Sequence, residues 1–149
     1  MSLTETINEE IKKAMLAREK DKLEALRSVK TAFTLARTEK SGATVLSEDE
    51  ELKIIQKLVK QRKDSADIYK EQNRNDLYEK EMMEMEVIKV FMPAQMDEAE
   101  LRIYLESLIK ELGASSMQDM GKVMGAASKA LAGKADGKVI SGIVRDLLG

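Results

Sequence analysis

Residue types that commonly carry out chemistry are sparse in this sequence. The 149 residues contain no cysteine and no histidine, which excludes disulfides, thiol nucleophiles, imidazole bases and the zinc sites that these residues build. The two Gly-Lys pairs, Gly121-Lys122 and Gly133-Lys134, invite comparison with a phosphate-binding loop. That loop needs a glycine five residues before the pair and Ser or Thr after it, and neither pair meets the requirement. The sequence therefore predicts no catalytic centre, no metal site and no cofactor.

The C-terminal stretch is locally basic within a chain of formal net charge −2. Three acidic residues stand against five basic ones over residues 115–149, for a net charge of +2; the basic ones are Lys122, Lys129, Lys134, Lys138 and Arg145. Such a group of basic residues more often forms a solvated surface. Lysine and arginine are, however, also the residues that contact nucleic-acid phosphates. Only five residues of the chain are aromatic, three Tyr and two Phe, so few side chains are suited to stack on nucleic-acid bases.

Small residues accompany these cations at helical spacing. Gly121, Gly125 and Ser128 recur at steps of four and three, so they share one helix face. Small side chains let another backbone approach closely. Two interpretations follow: packing inside a helix bundle, or contact with the backbone of a partner, either protein or nucleic acid.

The segment from Gly133 to Gly137 also has two interpretations. Gly133 suits a left-handed helix end and Asp136 suits an N-cap, which explains the segment as structure. Alternatively, Lys134, Lys138 and the free N–H groups at the helix start form a phosphate contact.

Helical periodicity and helix start signals predict an all-α protein. Ser or Asp stands three residues before Glu, as in a capping box, at Ser2–Glu5, Ser47–Glu50, Asp76–Glu79 and Asp97–Glu100. Asp21 is a weaker cap, and residues 41–44 and 73–76 are predicted breaks. The predicted helices span about 3–20, 22–40, 48–72, 77–91, 98–112, 117–132 and 137–148.

Pro93, the only proline, is the predicted domain boundary because proline ends a preceding helix. We expect an N-terminal helical domain of about four helices over 1–93 and a small three-helix bundle over 94–149. The N-terminus shows no secretory signal, and no apolar run reaches the roughly 18 residues of a membrane span. These features predict a cytoplasmic protein without a membrane segment.

Charged residues in the middle of the chain are interpreted as solvated surface. They are the basic run at residues 60–63 in the third helix and the carboxylates Glu79, Glu81, Glu84 and Glu86 in the fourth. Exposed carboxylates at this density do not suggest a tuned acid–base pair.

In their order and spacing, several short segments resemble the GatB/YqeY family over essentially the whole chain. These segments are residues 26–30 (LRSVK), 60–65 (KQRKDS), 91–96 (FMPAQM), 121–125 (GKVMG) and 133–137 (GKADG). In that family the same helical units form the C-terminal part of the GatB component of the aspartyl/glutamyl-tRNA amidotransferase, where the tail helps to hold tRNA. The resemblance implies a helical module that faces tRNA or structured RNA, with Lys122, Lys134 and Lys138 as the foremost contacts. It also implies protein partners among the components of that amidotransferase or of aminoacyl-tRNA synthetases.

The resemblance does not imply activity by this chain alone. The family is linked to carbon–nitrogen ligase activity with glutamine as the nitrogen donor, but the glutaminase component and the kinase-bearing body of GatB are separate sequences. We therefore expect a non-catalytic RNA-contacting module. The alternatives are an accessory component of a glutamine-dependent carbon–nitrogen ligase, and a protein–protein adaptor that uses the small-residue face and the methionines.

Overall fold

The computed structural model describes residues 2–40 and 45–149. Within these residues the predicted all-α class is confirmed: there are seven α-helices and no strand. The helices are α1 (Leu3–Leu16), α2 (Lys20–Glu39), α3 (Glu48–Glu71), α4 (Asn75–Lys89), α5 (Glu98–Leu112), α6 (Met120–Ala130) and α7 (Gly137–Leu148).

Side-chain caps fix several of the helix starts. Ser2 and Ser47 each form a complete capping box, with Glu5 and Glu50 respectively. The Asp97 carboxylate accepts the Glu100 N–H at 2.8 Å. Local sequence therefore decides where α1, α3 and α5 begin.

The other two cap predictions are wrong. Asp76 and Asp21 lie inside the first turns of α4 and α2, which begin at Asn75 and Lys20 without a side-chain cap. Asp76 instead stands 3.6 Å from the Arg74 guanidinium. A carboxylate in the first turn still stabilises the positive helix end, because the macrodipole favours it there.

Several helix ends also differ from the prediction. The first helix stops at Leu16 rather than at residue 20, and Arg18 beyond it has a left-handed φ of 58°. The sixth begins as a 3₁₀ turn, Met117–Asp119, and its α-helical part stops at Ala130 rather than 132. The predicted break at 41–44 lies outside the described residues.

Contacts divide the chain into two compact units, Met1–Met92 and Pro93–Gly149. In the first unit α2 contacts α1, α3 and α4, and the core is Ile7, Ile11, Ala14, Ala25, Leu26, Val29, Phe33, Leu46, Ile55 and Ile88. The second core consists of Leu101, Leu105, Val123, Ala127, Leu131, Ala135, Ile140, Ile143, Val144 and Leu148. Whether each unit folds as an independent domain, as predicted from Pro93, stays a prediction.

Candidate nucleic-acid interface

The segment after Pro93 holds the turn between α6 and α7 in place. Gly133 has a left-handed φ of 74°, as its predicted role requires, and its carbonyl accepts a hydrogen bond from Gln95 Nε2 at 2.6 Å. The next carbonyl, that of Lys134, accepts the Met96 N–H at 3.1 Å. Because these two bonds fix the backbone, the exposed Lys134 side chain projects from a rigid base.

Asp136 is the N-cap of α7, as predicted, and its carboxylate accepts the Lys138 N–H at 2.9 Å. The prediction that the N–H groups at this helix start are free is wrong for Lys138. The carboxylate also brings negative charge to the place where a phosphate would sit. The predicted phosphate contact at this turn therefore loses the Lys138 N–H as a donor, and the exposed Lys134 and Lys138 side chains stay its predicted cations.

The two predicted cations of α6 differ in their surroundings. Lys122 Nζ donates to the Leu112 carbonyl at 3.0 Å, at the C-terminal end of α5, where the helix dipole favours a cation. An ammonium group has three donors, so Lys122 keeps two for a ligand. Lys129 is exposed in the last turn of α6.

The predicted cations of α7 line one groove. Lys138 and Arg145 flank it, together with the carboxylates of Glu98 and Asp146, around a volume of about 340 Å³. Asp146 also lies 3.7 Å from the Arg102 guanidinium. The structure therefore brings Lys138 and Arg145 to a shared groove, whose described lining includes none of Lys122, Lys129 and Lys134.

The two glycines of the small-residue stripe do not pack inside the second unit. Gly121 and Gly125 are exposed, and a Cβ added to either would meet no atom within 4 Å in the described part of the chain. Packing inside the bundle is therefore the wrong interpretation for these two glycines. Ser128 is half-buried, and contact of this stripe with a partner backbone stays a prediction.

The first unit contains a polar cluster at positions for which the sequence predicts solvated surface. Arg62 Nε donates to Glu84 Oε2 at 3.2 Å, and another guanidinium nitrogen donates to Ser28 Oγ at 2.8 Å. The Arg62 and Glu84 side chains are 14% and 11% exposed. The prediction is therefore wrong for these two residues, which join α2, α3 and α4.

Sequence periodicity contains a signal for this cluster. Arg62 stands four residues after Leu58 and four before Ala66, on the apolar stripe of α3, and Glu84 stands four before Ile88. Residues spaced by four share a helix face. A charged residue on a buried stripe needs a partner, so each position signals a buried ion pair, although the spacing does not show which residue is the partner.

Two further carboxyl groups of the first unit are perturbed or buried. Burial, followed by the nearby negative charge of Glu84, raises the pKa of the Glu81 carboxyl above its usual range. Glu51 is buried, and its carboxylate accepts both the Thr4 N–H at 2.8 Å and the Thr4 hydroxyl at 2.7 Å. In the ranges 2–40 and 45–149, no cluster of three metal-ligating side chains occurs.

These features describe a small all-helical protein with exposed cations around a braced turn in its second unit. A family model for YqeY-like proteins matches residues 4–148. The chain belongs to this family, which confirms the resemblance drawn from the sequence.

One relative is "Altered inheritance of mitochondria protein 41, mitochondrial" from Clavispora lusitaniae. It is 33% identical over 117 residues, which cover 76% of this chain and 66% of the relative. The chain thus spans slightly less than two thirds of that relative's length. Among the described residues, no helix is both long enough and apolar enough to cross a bilayer.

Proposed function

We propose that this protein is a non-catalytic helical module whose second unit contacts tRNA or structured RNA. The observation that carries the proposal is a set of exposed cations that take part in none of the ion pairs found within the described ranges: Lys129, Lys134, Lys138 and Arg145. The backbone that carries these cations is fixed by the braced turn at Lys134 and by the helices α6 and α7. Because the backbone is already fixed, the ordering cost of binding an anion falls on the lysine and arginine side chains alone.

The expected mode of contact is with the RNA backbone rather than with bases. Lysine provides a point charge for phosphate, and arginine provides a planar fork that can bind two phosphate oxygens. The second unit has one aromatic residue, Tyr104, which lies in α5 and packs against the core. Binding through phosphates should be weakly dependent on sequence and strongly dependent on salt.

The test uses the full-length protein and fluorescein-labelled tRNA, with anisotropy measured over a series of salt concentrations. Lys129→Glu combined with Lys134→Glu should weaken binding and reduce the slope of log K against log salt by about 2, one unit for each lost phosphate contact. Lys122 is left unchanged because its substitution would also remove the hydrogen bond to the Leu112 carbonyl.

Lys12→Glu combined with Lys30→Glu is the matched control. Both lysines are exposed in the first unit. Each replacement changes the charge by −2, so control and test variants both move from −2 to −6. The control should keep the wild-type slope. The absence of salt-sensitive tRNA binding by the wild type, or an equal loss in the control, would refute the proposal.

The open stripe at Gly121 and Gly125 favours a second candidate, a protein–protein adaptor. A partner helix can closely approach a helix face on which glycine leaves no side chain in the way. Gly125→Leu should then remove a co-purifying protein whose retention is insensitive to nuclease, whereas Lys129→Glu should not. Retention of that protein by the Gly125 variant would count against the adaptor.

Family membership supports a third candidate, an accessory role in a glutamine-dependent carbon–nitrogen ligase. Under this candidate, adding the protein to the amidotransferase components should change the rate at which mischarged tRNA is amidated. No change over a range of protein concentrations would contradict it.

The cytoplasmic location stays a prediction, and the word "mitochondrial" belongs to the name of the relative.

A further inference from the structure

The groove between the start of α5 and α7 combines features that a general basic surface does not need. Its volume is about 340 Å³, near the lower end of small-molecule sites. It has cations, carboxylates and apolar side chains in its lining. A surface that only attracts a polyanion has no use for a carboxylate in the same groove, because a carboxylate repels phosphate.

The two cations are arranged to hold neighbouring groups of one anionic chain. Lys138 and Arg145 are seven residues apart on α7, which places them on one face, about 10 Å apart along the helix axis. Both are exposed. Neither has an ion-pair partner among the residues that the structure describes.

A glycine between these cations leaves room for a ligand. Gly142 lines the groove, and a Cβ added to it would meet no atom within 4 Å in the described structure. Packing within the unit therefore does not require glycine at this position. Glycine inside a helix lowers stability relative to alanine, so the open space points to a group from outside.

The carboxylate opposite α7 provides an acceptor for hydroxyl groups. Glu98 lies in the first turn of α5, and the ion pair found beside the groove in the described residues joins Arg102 to Asp146 rather than to Glu98. The other carboxylate of the groove, Asp146, is close to Arg102. An unpaired carboxylate beside phosphate-binding groups is suited to accept a ribose 2′-hydroxyl.

We propose that this groove holds one ribonucleotide of a bound RNA chain. Lys138 and Arg145 bind the phosphates on its two sides, and Glu98 accepts a hydrogen bond from the ribose 2′-hydroxyl. Val139, 46% exposed in the groove lining, packs against the sugar. This assignment rests on the proposed RNA contact and adds to it a preference for RNA over DNA.

The experiment compares fluorescein-labelled single-stranded RNA with DNA of the same sequence, using anisotropy and the full-length protein. Gly142→Leu fills the groove without changing charge, and it should weaken RNA binding about tenfold, as expected for loss of one or two charge-assisted contacts. Ser107→Leu is the matched control, since Ser107 is exposed on α5 and lies on the opposite face of this helix from Glu98. It should bind RNA as the wild type does.

Glu98→Ala separates the carboxylate role from general electrostatics. Removing a negative charge strengthens binding to any polyanion, so DNA binding should improve. RNA loses its hydroxyl acceptor, and the ratio of RNA to DNA affinity should fall towards one. A parallel increase for both polymers, with the ratio unchanged, would overturn the role of Glu98.

Failure of the groove can be distinguished from failure of the RNA proposal. If the wild type binds RNA and Gly142→Leu binds it equally well, the groove assignment is wrong while the RNA contact stands. If the wild type binds no RNA, both are wrong. A competition experiment with adenosine monophosphate distinguishes a site for a free nucleotide from a site for an RNA chain. If adenosine monophosphate displaces the labelled RNA with an affinity equal to that of the RNA, the groove is a mononucleotide site and the proposal is wrong.

Discussion

Removing the carboxylate of Glu84 should destabilise the first unit strongly, because it leaves the Arg62 charge buried without its ion-pair partner. We choose Glu84→Leu, which keeps the volume filled and removes only the charge and its hydrogen bond. Breaking a buried ion pair from one side costs about 3–5 kcal/mol. Arg62 keeps the Ser28 hydroxyl at 2.8 Å and the Leu58 carbonyl at 3.4 Å, so we expect a loss near the lower end, about 3 kcal/mol.

The assay is urea denaturation followed by circular dichroism, with free energies of unfolding from linear extrapolation. Arg62→Leu, Glu84→Leu and the double variant form a double-mutant cycle. The double variant should be more stable than Glu84→Leu alone, because a buried pair can often be replaced by apolar residues at little cost. Hydrogen exchange of the α3 and α4 amides assigns the change to the first unit.

Lys63 and Asp67 provide the matched control on α3. Their charged atoms are 3.8 Å apart, and their side chains are 64% and 60% exposed. Asp67→Leu should change the free energy of unfolding by no more than about 0.5 kcal/mol. If Glu84→Leu costs as little as this control, or if the cycle shows no coupling, the view of Arg62 and Glu84 as a buried pair is refuted.

Two further predictions concern carboxyl groups. The pKa of Glu81 is raised in the folded state, so folding favours its protonated form, and ionisation at neutral pH opposes folding; Glu81→Gln should therefore stabilise the protein at pH 7 by less than about 1 kcal/mol. The gain should disappear below about pH 4, where Glu81 is protonated in the folded and the unfolded state alike. Thermal melts of the wild type and the variant from acid to neutral pH measure it, and a variant less stable than the wild type at pH 7 would contradict the prediction. Glu51→Ala should cost about 1–3 kcal/mol because the Thr4 N–H and hydroxyl lose their acceptor; urea titration measures this loss, with Glu48→Ala, an exposed neighbour in the same turn, as a control that should change little.

Local signals are sufficient for the helical class and for much of the core. Apolar residues spaced by three and four predict the burial of Leu26, Val29 and Phe33 in α2, and all three are buried. Serine and aspartate caps predict the starts of α1, α3 and α5, where one side chain decides the boundary. Such features depend on residues within one turn of each other, so a single sequence contains them.

Features that depend on distant residues escape prediction from the sequence. The acceptor for Arg62 is 22 residues further along the chain, and Glu51 meets Thr4 across 47 residues. Spacing along one helix shows which face is buried but not which residue lies on the facing helix. The same reason explains the wrong interpretation of Gly121 and Gly125, since nothing in their own helix shows that no neighbour covers them.

The bond between Thr4 and Glu51 has a consequence for the order in which the chain matures during synthesis. Helix α1 leaves the ribosome before α3, yet the Glu51 carboxylate that binds Thr4 in the first turn of α1 belongs to α3 and emerges later. The adjoining helices α3 and α4 pack most extensively against each other, and neighbours in the chain meet fastest. We therefore expect protection from pulse-labelled hydrogen exchange to arise in the α3–α4 hairpin before α1. Earlier protection of α1 would contradict this order.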